Sequence, residues 1–89
     1  MTEIALELVT RKNCHLCDEM KGVLDSELPA LGLAYDLVDV DSDSALCARF
    51  GDSVPVLLRN GRPVAKVRLD RRQLLRIVRR RRWWPEGPA

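Results

Sequence analysis

Two cysteines three residues apart, in Asn13-Cys14-His15-Leu16-Cys17-Asp18, stand where an apolar stretch gives way to a helical pattern. The stretch before them, Ile4-Ala5-Leu6-Glu7-Leu8-Val9, is short, apolar and partly β-branched, and reads as a buried strand. After them, Cys17, Met20, Leu24 and Leu28 recur on one face of a helix that Pro29 and Gly32 should end near Glu27-Leu28. Cys14 is therefore expected at the helix N-terminus, where unpaired N–H groups and the positive dipole end stabilise a thiolate. Cys17 falls one turn further on, on the buried face and within disulfide reach of Cys14. A thiolate at the mouth with a partner thiol behind it is the arrangement that thiol–disulfide exchange requires. Lys12 and Arg11 should add positive charge beside Cys14; His15 either does the same when protonated or is a solvent-exposed residue of the cap turn without that role.

A Cys-x-x-Cys pair can also be half of a zinc site, but zinc needs four ligands. Only His15 and Cys47 remain to complete one, and on a helix His15 points away from the Cys14/Cys17 face. No metal is expected. Asp39, Asp41 and Asp43 mimic the opening of a calcium loop, yet Ser44 and Phe50 stand where glycine and glutamate are needed, so calcium is rejected. Cys47 is expected as a small buried residue.

Eighty-nine residues, 46% hydrophobic and 31% charged, make one small globular domain. Three cysteines are too few for a disulfide-stapled scaffold. Acidic Glu3 and Glu7 open the chain rather than a basic segment, so no secretory leader is expected. No run is long enough to span a membrane. A reducing, cytoplasmic setting follows, in which such a pair is catalytic rather than structural. The net charge of +2 does not by itself demand a polyanionic partner. Arg71, Arg72, Arg76 and Arg79 to Arg82 nevertheless cluster near the C-terminus. A solvated helix end complementing its dipole explains them more simply than nucleic acid or an acidic partner, with Trp83 as the one residue suited to stacking.

Further along, Leu33–Val40 reads as a second buried strand, parallel to the first. Ser42 or Asp43 should cap a short helix carrying Leu46 and Phe50 and ending at Gly51. Val54–Arg59 is a third strand, and Asn60-Gly61 is a two-residue hairpin turn. Pro63–Leu69 returns antiparallel at an edge, because proline cannot donate to the ladder. Asp70 and Gln73 form a capping box for a last helix. That helix should turn Leu74, Ile77, Val78 and Trp84 inward and leave Trp83 wetter. The domain should occupy residues 1–84, with 85–89 a frayed tail.

The order β-α-β-α-β-β-α, the Cys14-His15-Leu16-Cys17 motif after the first strand and Val54-Pro55 opening the third resemble the thioredoxin superfamily, and within it the small glutaredoxin-like domains. The resemblance implies an α/β thioredoxin-like fold with a four-stranded mixed sheet and helices on both faces. It also implies a cis Val54–Pro55 bond and a Val54 backbone that pairs with a bound peptide or glutathione beside Cys14. Thioredoxins carry tryptophan before the first cysteine and a buried acid six residues ahead of it; here Asn13 and Leu8 stand there. Glutaredoxins carry Gly-Gly-x-Asp before the last helix, of which Asp70 alone matches, while Lys12 or Arg11 would contact a glutathione carboxylate. The resemblance thus implies a thiol–disulfide oxidoreductase, with Cys14 and Cys17 catalytic and Lys12, His15, Val54, Pro55 and Asp70 around the substrate. A disulfide-bearing protein or small molecule would be its substrate, and no bound cofactor is required. Glutathione or a thioredoxin reductase-like donor would return electrons to a monomer. The alternative from the same relatives is an iron–sulfur carrier, against which Cys17 argues.

Overall fold

The computed structural model describes residues 4–79. Its elements are β1 (Leu6–Thr10), α1 (His15–Glu27), a 3-10 turn (Pro29–Leu31), β2 (Asp36–Asp39), a second 3-10 turn (Val40–Ser42), α2 (Ser44–Phe50), β3 (Val56–Arg59), β4 (Arg62–Lys66) and α3 (Arg71–Arg79). The strands form one sheet in the order β2-β1-β3-β4. β1 runs parallel to β2 and antiparallel to β3, and β3 runs antiparallel to β4. The sheet is therefore mixed, in the element order expected.

Side-chain alternation along the two central strands builds a core on each face. Leu6 and Leu8 of β1 and Leu57 of β3 point to the side covered by α1 (Met20, Leu24) and α3 (Leu74, Ile77). Val9, Val56 and Leu58 point to the other side, against Val40 and Phe50. Each helix has a cause in the sequence. The α1 stripe of Cys17, Met20 and Leu24 is buried as its spacing requires. Asp43 caps α2 by accepting from Ala45 and Leu46 N–H. Asp70 caps α3 by accepting the Gln73 N–H at 2.7 Å. The Asn60-Gly61 turn has positive φ at both residues, 53° and 83°, as a type I′ hairpin needs.

Several expectations need correction. The segment Leu33–Val40 is not a buried strand. Only Asp36–Asp39 pairs, at an outer edge, and Leu37 is 52% exposed. An edge strand has a neighbour on one side only, and the buried Val40 lies beyond it in the 3-10 turn. The third and fourth strands are also shorter than predicted. Val54 and Pro55 precede β3 rather than open it, and β4 stops at Lys66. Trp83, Trp84, the inner-face placement of the helix end and the 85–89 tail lie outside the described residues.

Arg59 is 1% exposed among the apolar side chains. As the fourth residue of β3 it points to the α1/α3 face, where its Nη1 donates to the Ile77 carbonyl in the last described turn of α3. Burial lowers its pKa.

The contrast between centre and edge of the sheet sets the first prediction. Leu8→Ala should cost about 2–5 kcal/mol in urea unfolding, whereas Leu37→Ala should cost under about 1 kcal/mol. Equal losses would show that β2 is covered in solution.

Candidate active site

The cysteine pair occupies the turn between the end of β1 and the start of α1. Asn13 takes a left-handed conformation with φ 57°, which asparagine tolerates, and this redirects the chain from strand to helix. Cys14 is then the N-cap of α1, extended at φ −114° and ψ 108°. Its Sγ accepts the Cys17 N–H at 3.1 Å, and its carbonyl accepts from Asp18. Cys14 and Cys17 are joined as a disulfide, with Cα atoms 5.2 Å apart. Cys14 is half-buried, while Cys17 is 3% exposed on the stripe of Met20 and Leu24. Sγ of Cys14 thus sits at the N–H groups and positive dipole end of α1.

The sheet register brings the other expected residues to the same end of the molecule. Val9 pairs with Val56, so Pro55 lies one step beyond, across from Thr10. The Val54–Pro55 bond is cis, with Pro55 buried and Val54 half-buried. The Val67 N–H donates to the Pro55 carbonyl at 2.7 Å, which places the segment leading to Asp70 beside the same loop. Val67 has φ 68°, a region that a β-branched residue occupies only under strain. Asp70 is exposed at the head of α3, with its carboxylate engaged as the cap. Between α1 and this segment lies a cleft of about 330 Å3, lined by Glu19, Met20, Val67, Arg68, Leu69 and Asp70 among others.

His15 is exposed and pairs with Glu19, one turn along α1, at 2.9 Å. Lys12 is exposed. Arg11 does not face the thiols as expected; its guanidinium forks onto Asp41, with Nε and Nη2 each at 3.0 Å, and its Nη1 donates to the Gly51 carbonyl at 3.0 Å. Cys47 is a free, exposed thiol rather than a buried filler, 3.8 Å from Arg11 Nη2. It lies on the outer side of α2, whose inward residues are Phe50 and the half-buried Leu46. Sequence reasoning missed the Arg11 and Arg59 contacts, because a lone arginine carries no periodic signal for its partner. Among the described residues no cluster of three or more His, Cys, Asp or Glu is arranged to hold a metal ion. No helix among them is long and apolar enough to cross a membrane.

A family model described as Glutaredoxin-like domain (DUF836) matches residues 5–79. Among solved structures, the structural-genomics target protein XcR50 from X. campestris is 35% identical, with a TM-score of 0.70 over 83% of this chain and 95% of that one. Protein Ne2328 from Nitrosomonas europaea is 23% identical, with a TM-score of 0.73 over 85% of this chain and 92% of that one. A buckwheat glutaredoxin, solved as a complex with glutathione, is 19% identical, with a TM-score of 0.53 over 85% of this chain and 69% of that one. The last two likenesses show the fold alone. No curated protein matches the chain. The chain belongs to the glutaredoxin-like domain family and has the thioredoxin fold. With the Cys14–Cys17 pair, family membership points to a thiol redox role.

The Arg11–Asp41 pair sets a pH dependence. The hydrogen bond from Arg11, foremost, holds the Asp41 carboxyl below its usual range. A depressed folded-state pKa contributes stability that is present above the unfolded value, about 3.9, and is lost as pH falls through the folded value. Asp41→Asn should therefore lower the urea midpoint at pH 7 but narrow its deficit against the wild type toward pH 3. A deficit of constant size across that range would contradict the pairing.

Proposed function

We propose that this glutaredoxin-like domain is a thiol–disulfide oxidoreductase that reduces disulfides through its Cys14/Cys17 dithiol. The observation that carries the reading is the asymmetry of the pair: Cys14 caps the open helix end, and Cys17 lies buried directly behind it. The Cys14 thiolate attacks one sulfur of the substrate disulfide, forming a mixed disulfide and releasing the first substrate thiolate. The Cys17 thiolate then attacks Cys14 Sγ, expels the second substrate thiolate and leaves the Cys14–Cys17 disulfide. Two electrons have passed from the dithiol to the substrate; the two protons lost as Cys14 and Cys17 ionise and those gained by the released substrate thiolates exchange through solvent. The dipole of α1 favours the first step by holding Cys14 ionised, and burial of Cys17 keeps it for the second.

Around this pair, the Val54 backbone beside Pro55 is the proposed strand-like contact for a substrate cysteine, with Lys12, His15 and Asp70 on the rim. The substrate is a disulfide-bearing protein or small molecule, reduced in the cytoplasm by a monomeric domain spanning residues 1–84. Glutathione or a thioredoxin reductase-like donor regenerates the dithiol, and no bound cofactor is required. Asp70 already accepts the α3 cap bond, so only its remaining acceptor capacity is open to glutathione.

Alkylation of the reduced protein with iodoacetamide at neutral pH should label Cys14 first. Cys17→Ser should accumulate a mixed disulfide with an added disulfide substrate, and Cys14→Ser should abolish reduction of that substrate. First labelling at Cys17 or Cys47, or turnover by Cys14→Ser, would overturn the assignment.

A further inference from the structure

The loop that presents Cys14 is short and, among the described residues, has one side-chain tether besides Cys14's own links to Cys17. Among the described residues, neither Lys12 nor Asn13 makes a side-chain hydrogen bond or ion pair, and Asn13 holds a left-handed backbone. Arg11 is different. It donates to both carboxylate oxygens of Asp41 and to the Gly51 carbonyl, all at 3.0 Å. These are three fixed points for one planar group.

The receiving elements are themselves anchored. Asp41 N–H donates to Asp39 Oδ1 at 2.9 Å, and the turn holding it is seated by the fully buried Val40. Gly51 follows the buried Phe50, and its N–H donates to the Cys47 carbonyl at 2.8 Å. A Cβ at position 51 would stand 2.5 Å from that carbonyl oxygen, so no side chain fits there without movement. From Gly51 the chain runs directly into Val54–Pro55, with Ser53 N–H held by the Phe50 carbonyl at 2.8 Å.

We propose that Arg11 is a positioning residue for the dithiol, clamping the Cys14 loop to the loop that leads into Val54–Pro55 and so holding Cys14 Sγ against the Cys17 N–H. The proposal rests on the exchange reading given above. Beyond the small stability the pair adds, the clamp acts on Cys14 by geometry. Side-chain exposures of 38% for Arg11 and 52% for Asp41 leave the pair in contact with water, where such pairs contribute little binding energy. Nor does Arg11 supply a free positive charge to the thiol, since Asp41 neutralises it at contact distance. Its contribution is a fixed direction. An orienting hydrogen bond is worth most where a reacting atom must stay aligned with its stabilising donor. A lysine at position 11 keeps the charge but has no planar fork to span Asp41 and Gly51 together.

The test uses the reduced protein and its Arg11→Met, Arg11→Lys and Asp41→Asn variants, each checked for native circular dichroism. The readout is the pH profile of Cys14 alkylation by iodoacetamide, followed at the Cys14 peptide by mass spectrometry. All three variants should slow Cys14 alkylation near pH 6.5 by about 3–10-fold and move its profile to higher pH, as expected when a thiolate loses an aligned donor. Arg11→Met combined with Asp41→Asn should be no slower than either alone, because both remove the same clamp. A purely structural role would lower the melting temperature and leave the profile of the folded variants where it was. An unchanged profile, or full recovery in Arg11→Lys, would overturn the proposal. If the Arg11 variants do not fold, Asp41→Asn alone decides, since Asn offers one acceptor where the fork needs two. Failure of the wild-type protein to reduce any disulfide, with Cys14 alkylation still dependent on Arg11, would remove the exchange reading and leave the clamp standing.

Discussion

Leu8 and Val9, both fully buried and on opposite faces of β1, fix where that strand ends and therefore where the helix carrying the cysteine pair begins. A one-residue slip would carry Leu8 to the α2 side and Val9 to the α1/α3 side, so the register is held from both cores at once. From that fixed end, a single left-handed residue, Asn13, turns the chain and leaves Cys14 as the cap of α1. The buried Cys17, Met20 and Leu24 then hold the helix by its inner face, and the N-terminus has no freedom to turn away. The chemistry of Cys14 is thus a consequence of packing several residues distant from it.

The same economy shows in how the chain spends its arginines. Arg59 is buried and reaches the last described turn of α3, Arg11 ties two loops near the cysteines, and Arg71 reaches Glu27 across the α1/α3 face at 3.1 Å. Each joins a backbone or carboxylate group of a different element, and Arg11 does so with three of its donors, which a lysine does less well.

Much of this architecture was legible in the sequence, for reasons that name themselves. The Cys17-Met20-Leu24 spacing, the Asn60-Gly61 turn and the Asp70 cap are local signals, and each forms as its local physics dictates. What sequence could not supply was neighbourhood. Leu37 read as buried because it is apolar, yet β2 lies at the sheet edge, a property of strand order rather than of any residue. Cys47 read as a buried filler for the same reason. Arg11 read as a neighbour of Cys14 because it is near in sequence, whereas its side chain extends to Asp41, thirty residues away. Arg59 carried no signal at all, since a charged residue closing an apolar strand ordinarily faces water.

Thiol–disulfide exchange by this domain requires that Cys14 and Cys17 act as one two-electron couple. Equilibrating the protein in dithiothreitol buffers of graded reducing strength, then trapping free thiols and weighing the products, tests this most directly. The account predicts a single reversible transition in which Cys14 and Cys17 gain and lose their label together, with Cys47 labelled throughout. A pair that resists reduction until the protein unfolds, or a transition that exchanges Cys47 into the disulfide, would contradict it.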